Sequence, residues 1–299
     1  MRGARASGGR MGARAMTVER APFGIRVPGV DLRGDAWIPE RPAANAAIVV
    51  CHGFKGFKDW GFFPHVSERL ADAVGTLVVS FNFEGSGVRE SADAFDDLPA
   101  FARNTFTKEL LDLEIILDGL AAGRLGELEL PPATRFGLLG HSRGGATCIL
   151  KASVRRQVRA LATWASIASA ERYGAYAERW ESGLPVVIHN ARTGQDMPLE
   201  RPVLDDLRAN GTRLDVLSAA AALSIPWAIV HGEDDESVPL TDAEALAAAS
   251  GAGGRLVRIE GAGHTFGTGH PFEGSTPALE RALEAAVEAF HEGLTEEAP

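Results

Sequence analysis

The sequence predicts an α/β fold: a mostly parallel sheet flanked by helices on both faces. Three observations predict it. Short apolar runs rich in β-branched residues recur along the chain, Gly or Pro bounds them, and helical patterns lie between them.

The runs are 46–51 (AAIVVC), 76–83 (TLVVSFNF), 135–140 (RFGLLG), 160–167 (ALATWASI), 226–230 (PWAIV) and 255–260 (RLVRIE). Continuous apolar runs, without alternation, suit strands buried on both faces of a parallel sheet. Between them, 63–74, 107–121, 146–156, 241–249 and 277–292 place apolar residues at roughly i, i+3, i+4, i+7. Thr241 with Glu244 three residues later reads as a capping box. Residues 23–37 read as a pair of antiparallel strands at the sheet edge. The alternation breaks over 170–222, a polar, mixed stretch with an expected hairpin turning at Gly194. Its length, about fifty residues, exceeds a plain connection. It is read as a cap over the carboxyl ends of the strands, inserted between core segments 21–169 and 223–299.

The 299 residues carry 40 acids and 30 bases, a net charge of −10, and are 45 % hydrophobic. That suits one α/β domain with an insertion, or two small domains. The acidic balance argues against nucleic acid or an anionic membrane as partner. The two cysteines, Cys51 and Cys148, form no CxxC or Cys/His cluster. They exclude a disulfide-dense scaffold, suggest no zinc site and fit a reducing, cytoplasmic setting. No run approaches 18 apolar residues, so no transmembrane helix is expected. Residues 1–15 carry four arginines and no acid, without the apolar segment of a signal peptide. A disordered basic tail is expected through residue 20, with Met16 as a candidate start.

The strongest chemical signal is Gly140-His141-Ser142-Arg143-Gly144-Gly145, a G-x-S-x-G between a predicted strand and a predicted helix. A serine on so tight a turn stands clear of the sheet. Side chains two residues to either side would collide with the neighbouring strand and helix. The turn also aims the Arg143 N–H and the helix N-terminus at the space where an oxyanion would form. Ser142 is therefore the expected nucleophile.

A serine hydroxyl needs a base, and the base needs an orienting group. Of eight histidines, His264 in Gly261-Ala262-Gly263-His264-Thr265-Phe266 follows the last predicted strand, at the same sheet edge as Ser142. His52 and His231 end strands and read as structural. His141 points away from the nucleophile on such an elbow. His189 lies in the insertion and is a candidate substrate contact. His65, His270 and His291 take solvated roles by default. The acid is expected after 226–230, where four acidic residues run from 233 to 236. Asp235 is chosen because Val238-Pro239 fixes the loop's exit, and Asp234 is the alternative. The loop His52-Gly53-Phe54 offers the Phe54 N–H as second oxyanion donor. Farther along it, Phe57, Lys58 and Trp60 are candidates for the pocket wall, or alternatively for packing the cap on the sheet.

Together these residues resemble the α/β-hydrolase superfamily, in particular its capped esterase, lysophospholipase and serine-aminopeptidase-like branch, near dienelactone-hydrolase-like proteins. The resemblance runs from about residue 46 to the C-terminus. It rests on HGF at 52–54, NFEGSG at 82–87, GHSRGG at 140–145, HGEDDESVP at 231–239 and GAGHTF at 261–266. Its H-G-x-x-D-x-x-V-P spacing implies Asp235 as the acid. The nucleophile here is Ser, where dienelactone hydrolases carry Cys. The resemblance implies an eight-stranded sheet with an antiparallel edge strand, no metal and no organic cofactor.

The expected chemistry is acyl transfer through an acyl-enzyme on Ser142, with a small-molecule ester or amide as substrate. The alternatives are a peptidase or carbon–carbon bond hydrolase using the same three residues, a non-enzymatic binder on this scaffold, and an interaction protein using the insertion as a surface.

Overall fold

The computed structural model describes residues 17–43, 45–91 and 94–295. Residues 1–15 and Met16, the expected tail and candidate start, lie outside them. Residues 18–20, expected in the tail, instead open the first strand, where Arg20 Nη2 reaches Asp35 Oδ2 at 2.7 Å.

Eight strands form one sheet. They are β1 (Val18–Val27), β2 (Val30–Pro39), β3 (Ala46–Cys51), β4 (Leu77–Asn82), β5 (Arg135–His141), β6 (Val158–Trp164), β7 (Trp227–Gly232) and β8 (Gly254–Ile259). Their spatial order is β1-β2-β4-β3-β5-β6-β7-β8. The β1–β2 and β2–β4 pairs are antiparallel and the remaining pairs are parallel.

Successive side chains point to opposite faces of a strand, and β3 shows the consequence. Ala47, Val49 and Cys51 enter one buried cluster, and Ala46, Ile48 and Val50 enter the other. One face is covered by α1 (Phe63–Val74) and α5 (Pro277–Leu294). The other is covered by α2 (Phe106–Ala121), α3 (Arg143–Val154) and α4 (Leu240–Ala249). α5 buries Leu279, Ala282, Leu283, Ala286 and Phe290 along one stripe. Phe290 fills the space a side chain at Gly137 would need, since a Cβ there would sit 2.7 Å from its ring.

Three boundaries move. β6 ends at Trp164 because Ala165 takes φ 49 and the chain turns. α3 begins at Arg143, since Gly144 and Gly145 belong to the helix. The Thr241 capping box does not form: α4 opens at Leu240 behind Pro239, with no side-chain cap, and Thr241 is already helical.

The inserted segment runs between β6 and β7. It contains a 3₁₀ turn (Ala170–Tyr176), a short helix (Ala177–Glu181), an antiparallel hairpin (Val186–Asn190 with Gln195–Leu199) and two helices (Pro202–Asn210 and Val216–Ala221). Gly194 closes the hairpin at φ 67, its N–H donating to Asn190 O at 2.8 Å. Among the described residues, no helix is long and apolar enough to cross a membrane.

Helix α2 buries an acid that sets a pH dependence. Burial, then the charges of Glu84 and Glu109, push Asp112 up to about 7, against a hydrogen bond from Glu84 N–H at 2.9 Å. Unfolded, the carboxyl titrates near 4. Between about pH 4 and 7 the folded chain therefore holds the extra proton, and this group's contribution to stability falls as pH rises. Asp112→Asn keeps the acceptor for Glu84 and removes the titration. The variant should gain on the wild type by roughly 1.4 kcal/mol per pH unit across that window, read from urea unfolding at a series of pH values.

Candidate active site

Ser142 is the single residue between β5 and α3. It sits at φ 55, ψ −121, a conformation costing about 1–3 kcal/mol in a residue with a side chain. Two hydrogen bonds hold it there: Ser142 N–H to Trp164 O at 2.9 Å, and Gly145 N–H to Ser142 O at 3.0 Å. The glycines are steric requirements. A Cβ on Gly140 would lie 2.3 Å from Gly144 O, and one on Gly144 would lie 2.4 Å from His52 O. A Cβ on Gly53 would lie 2.9 Å from Ser142 Cβ, so the loop after β3 presses directly on the elbow.

His264 and Asp235 stand on the loops after β8 and β7. Backbone bonds stitch these loops together, from Glu233 N–H to Ile259 O (3.0 Å) and from Asp234 N–H to Ala262 O (2.9 Å). Asp235 turns inward and Asp234 is exposed. Asp235 Oδ2 accepts from His264 Nδ1 at 2.8 Å. Its Oδ1 accepts from the N–H groups of Ser237 (2.8 Å) and Val238 (3.0 Å). Burial alone would raise Asp235. The neighbouring His231 ring, together with the hydrogen bonds from His264 and the Val238 N–H, outweighs it and holds the carboxyl well below the usual range. With Nδ1 as donor, His264 keeps Nε2 as an acceptor.

The other buried histidines are scaffold. His141 Nε2–H donates to His264 O at 2.9 Å, with the two rings 4.7 Å apart. Burial, and then the neighbouring His264, push it down to about 3, so it fixes the His264 loop as a neutral ring. His52 donates from Nδ1 to Gly53 O (2.9 Å) and accepts the Phe83 N–H (3.2 Å). Burial pushes it down to about 4. His231 Nε2–H donates to Val238 O at 2.9 Å and lies 3.4 Å from Asp235 Oδ2.

Ser142 and His264 line one cavity of about 630 Å³, walled by Phe54, Trp60, Tyr173 and Ile188 among others. Of the sequence-predicted wall residues, only Trp60 lies there. Phe57 is fully buried beneath, its ring against Phe95 and His270. Lys58 turns away: its ammonium pairs with Asp35 and Asp59, each at 2.5 Å, and it borders a separate groove along β1 and β2. His189 is exposed and paired with Asp196 at 3.0 Å. Sequence reasoning missed Lys55, Tyr173, Tyr176 and Asn190. Among the described residues, no group of three His, Cys, Asp or Glu side chains is placed to hold a metal ion.

The Arg143 side chain was also missed. Its guanidinium is buried between the rings of Phe106 (4.1 Å) and Tyr173 (4.8 Å). Its Nε donates to Glu109 Oε1 at 2.7 Å. The residue after the serine thus ties α2 and the inserted segment to the elbow.

The fold recurs in solved structures. The chain is similar to Est1E from Butyrivibrio proteoclasticus, solved with ferulic acid bound (TM-score 0.66, 22 % identity, covering 91 % of this chain and 99 % of that one). It is similar to the esterase domain of a Rhodothermus marinus protein (TM-score 0.62, 19 % identity, 92 % and 98 %). It is also similar to a dienelactone hydrolase from Anabaena variabilis (TM-score 0.57, 17 % identity, 93 % and 99 %). No curated protein sequence matches it. The model of the alpha/beta hydrolase family matches residues 48–278, from the third strand into the last helix. By that match, which includes the serine elbow at Ser142, the chain belongs to the alpha/beta hydrolase family.

Proposed function

We propose that the chain is a serine hydrolase that cleaves a small carboxylic ester, or a related acyl bond, through an acyl-enzyme on Ser142. The observation that carries this reading is the 2.8 Å bond between His264 Nδ1 and a buried Asp235, with His264 and Ser142 lining one cavity.

His264 Nε2 takes the Ser142 proton as Oγ attacks the carbonyl. The N–H groups of Phe54 and Arg143 hold the oxyanion. His264 then protonates the leaving group and draws a proton from the water that frees the acid. Asp235 stabilises the transient imidazolium and keeps the ring in the tautomer with Nε2 open. Residues 170–222 act as a cap in this reading, because Tyr173, Tyr176 and Ile188 from that segment wall the cavity. Two buried, unpaired cysteines support a cytoplasmic setting.

The acid assignment has a direct test with a p-nitrophenyl ester. Asp235→Asn should lower kcat by about 10⁴, because an amide supports the wrong tautomer. Asp234→Asn should change it less than about threefold, as an exposed side chain away from the imidazole. The opposite ranking would move the acid to Asp234.

A further inference from the structure

The cavity beside Ser142 is electrostatically one-sided. Lys55, Arg172 and Arg192 line it, and none of its described lining residues is Asp or Glu. The chain as a whole has more acids than bases, 40 against 30, so this lining runs against composition. The three cations come from three segments: the loop after β3, the 3₁₀ turn opening the insertion, and the tip of the hairpin.

Each is held differently. Lys55 is half-buried at φ 58. Burial lowers its ammonium, and among the described residues no carboxylate acts to raise it again. Arg172 Nη2 donates to Ser237 O at 3.1 Å, which fixes its guanidinium beside the acid loop. Arg192 lies 5.7 Å over the Phe57 ring, and its N–H donates to Asn190 Oδ1 at 3.2 Å. Asn190 also lines the cavity, and its buried Nδ2 has no hydrogen-bond partner among the described residues. A buried donor without an acceptor is destabilising, and an anionic oxygen beside it would remove that cost. Phe54, Trp60, Tyr173 and Tyr176 give the same space an aromatic body.

Resting on the ester-hydrolase reading above, we propose that the cavity takes esters carrying a carboxylate, with Lys55 as its main counter-charge, Asn190 as a donor, and Arg172 and Arg192 guiding it from the mouth. An ester of this class has one neutral carbonyl for Ser142 and one anionic end for the cations. A monoester of a dicarboxylic acid is the simplest example.

The test compares monoethyl adipate with diethyl adipate, following ethanol release. The monoanion should be favoured by about tenfold in kcat/KM, the scale of one hydrogen bond to a charged group. The preference should shrink as salt rises. Lys55→Met should bring the ratio close to one, and Lys55→Arg should restore most of it. A second arm does not depend on turnover: the Ser142→Ala protein should bind 4-phenylbutanoate about tenfold more tightly than 4-phenylbutanamide, and Lys55→Met should abolish the difference. Carboxylate binding without ester turnover would sink the hydrolase reading and keep the anion site. Turnover with equal use of both adipates and equal binding of both phenyl ligands would overturn the anion site and keep the hydrolase. A ratio unchanged in Lys55→Met would overturn Lys55 as counter-charge.

Discussion

Replacing Ser142 by Ala is expected to lower turnover of a p-nitrophenyl ester by about a million-fold while leaving the fold intact. The size follows from the proposed mechanism, in which nucleophile and base act as a unit and removing one disables both. The intact fold follows from local geometry. Ala has the same Cβ as Ser and meets the same strain at φ 55. The N–H to Trp164 O and the carbonyl accepting from Gly145 are backbone groups and stay. The melting temperature should therefore move by less than a few degrees while kcat collapses. A fall in both would mean that the serine hydroxyl supports structure rather than chemistry.

Replacing Glu109 by Ala is expected to cost about 3–5 kcal/mol of stability, as removing one partner of a buried ion pair does. Glu109 is 3 % exposed and Arg143 is 2 % exposed. Besides Arg143, Glu109 Oε1 accepts from Asn104 Nδ2 and Oε2 accepts from Thr147 Oγ1, each at 2.8 Å. Truncation strands a guanidinium between two aromatic rings, takes the acceptor from Asn104 Nδ2 and leaves Thr147 Oγ1 with its longer bond to Arg143 O at 3.3 Å. Arg143 Nη2 already lacks a hydrogen-bond partner among the described residues, and the neighbouring Tyr173 hydroxyl, being neutral, cannot replace the carboxylate's charge. Chemical denaturation should show the loss, and pairing Glu109→Ala with Arg143→Met should recover much of it. If the double variant is as unstable as the sum of the singles, the pair is not a unit.

The fold was legible because its strands are buried on both faces and its glycines are sterically required. The run AAIVVC needs two apolar layers, and the structure supplies them. GHSRGG likewise announced a turn whose glycines leave no room for Cβ atoms. The meeting of Asp235 with His264 was legible from their positions after consecutive strands.

What escaped depends on contacts or on torsions that spacing does not reveal. Glu109 and Arg143 lie 34 residues apart, and no local pattern joins them. Lys55 and Lys58 share one loop, and only the turn at φ 58 puts the first in the cavity while carboxylates hold the second away. His189 was expected in the cavity, yet a strand alternates its faces. Ile188 and Asn190 face the serine, and His189 between them faces out. Arg143 was read for its backbone alone, because its side chain finds partners only when α2 and the insertion close over it.

The most direct test of the central claim is covalent labelling of the purified protein with diisopropyl fluorophosphate, read by intact mass and peptide mapping. The proposed site predicts one adduct, on Ser142, that forms slowly in Asp235→Asn and is absent from Ser142→Ala. An unlabelled wild type, or an adduct that persists in Ser142→Ala, would contradict it.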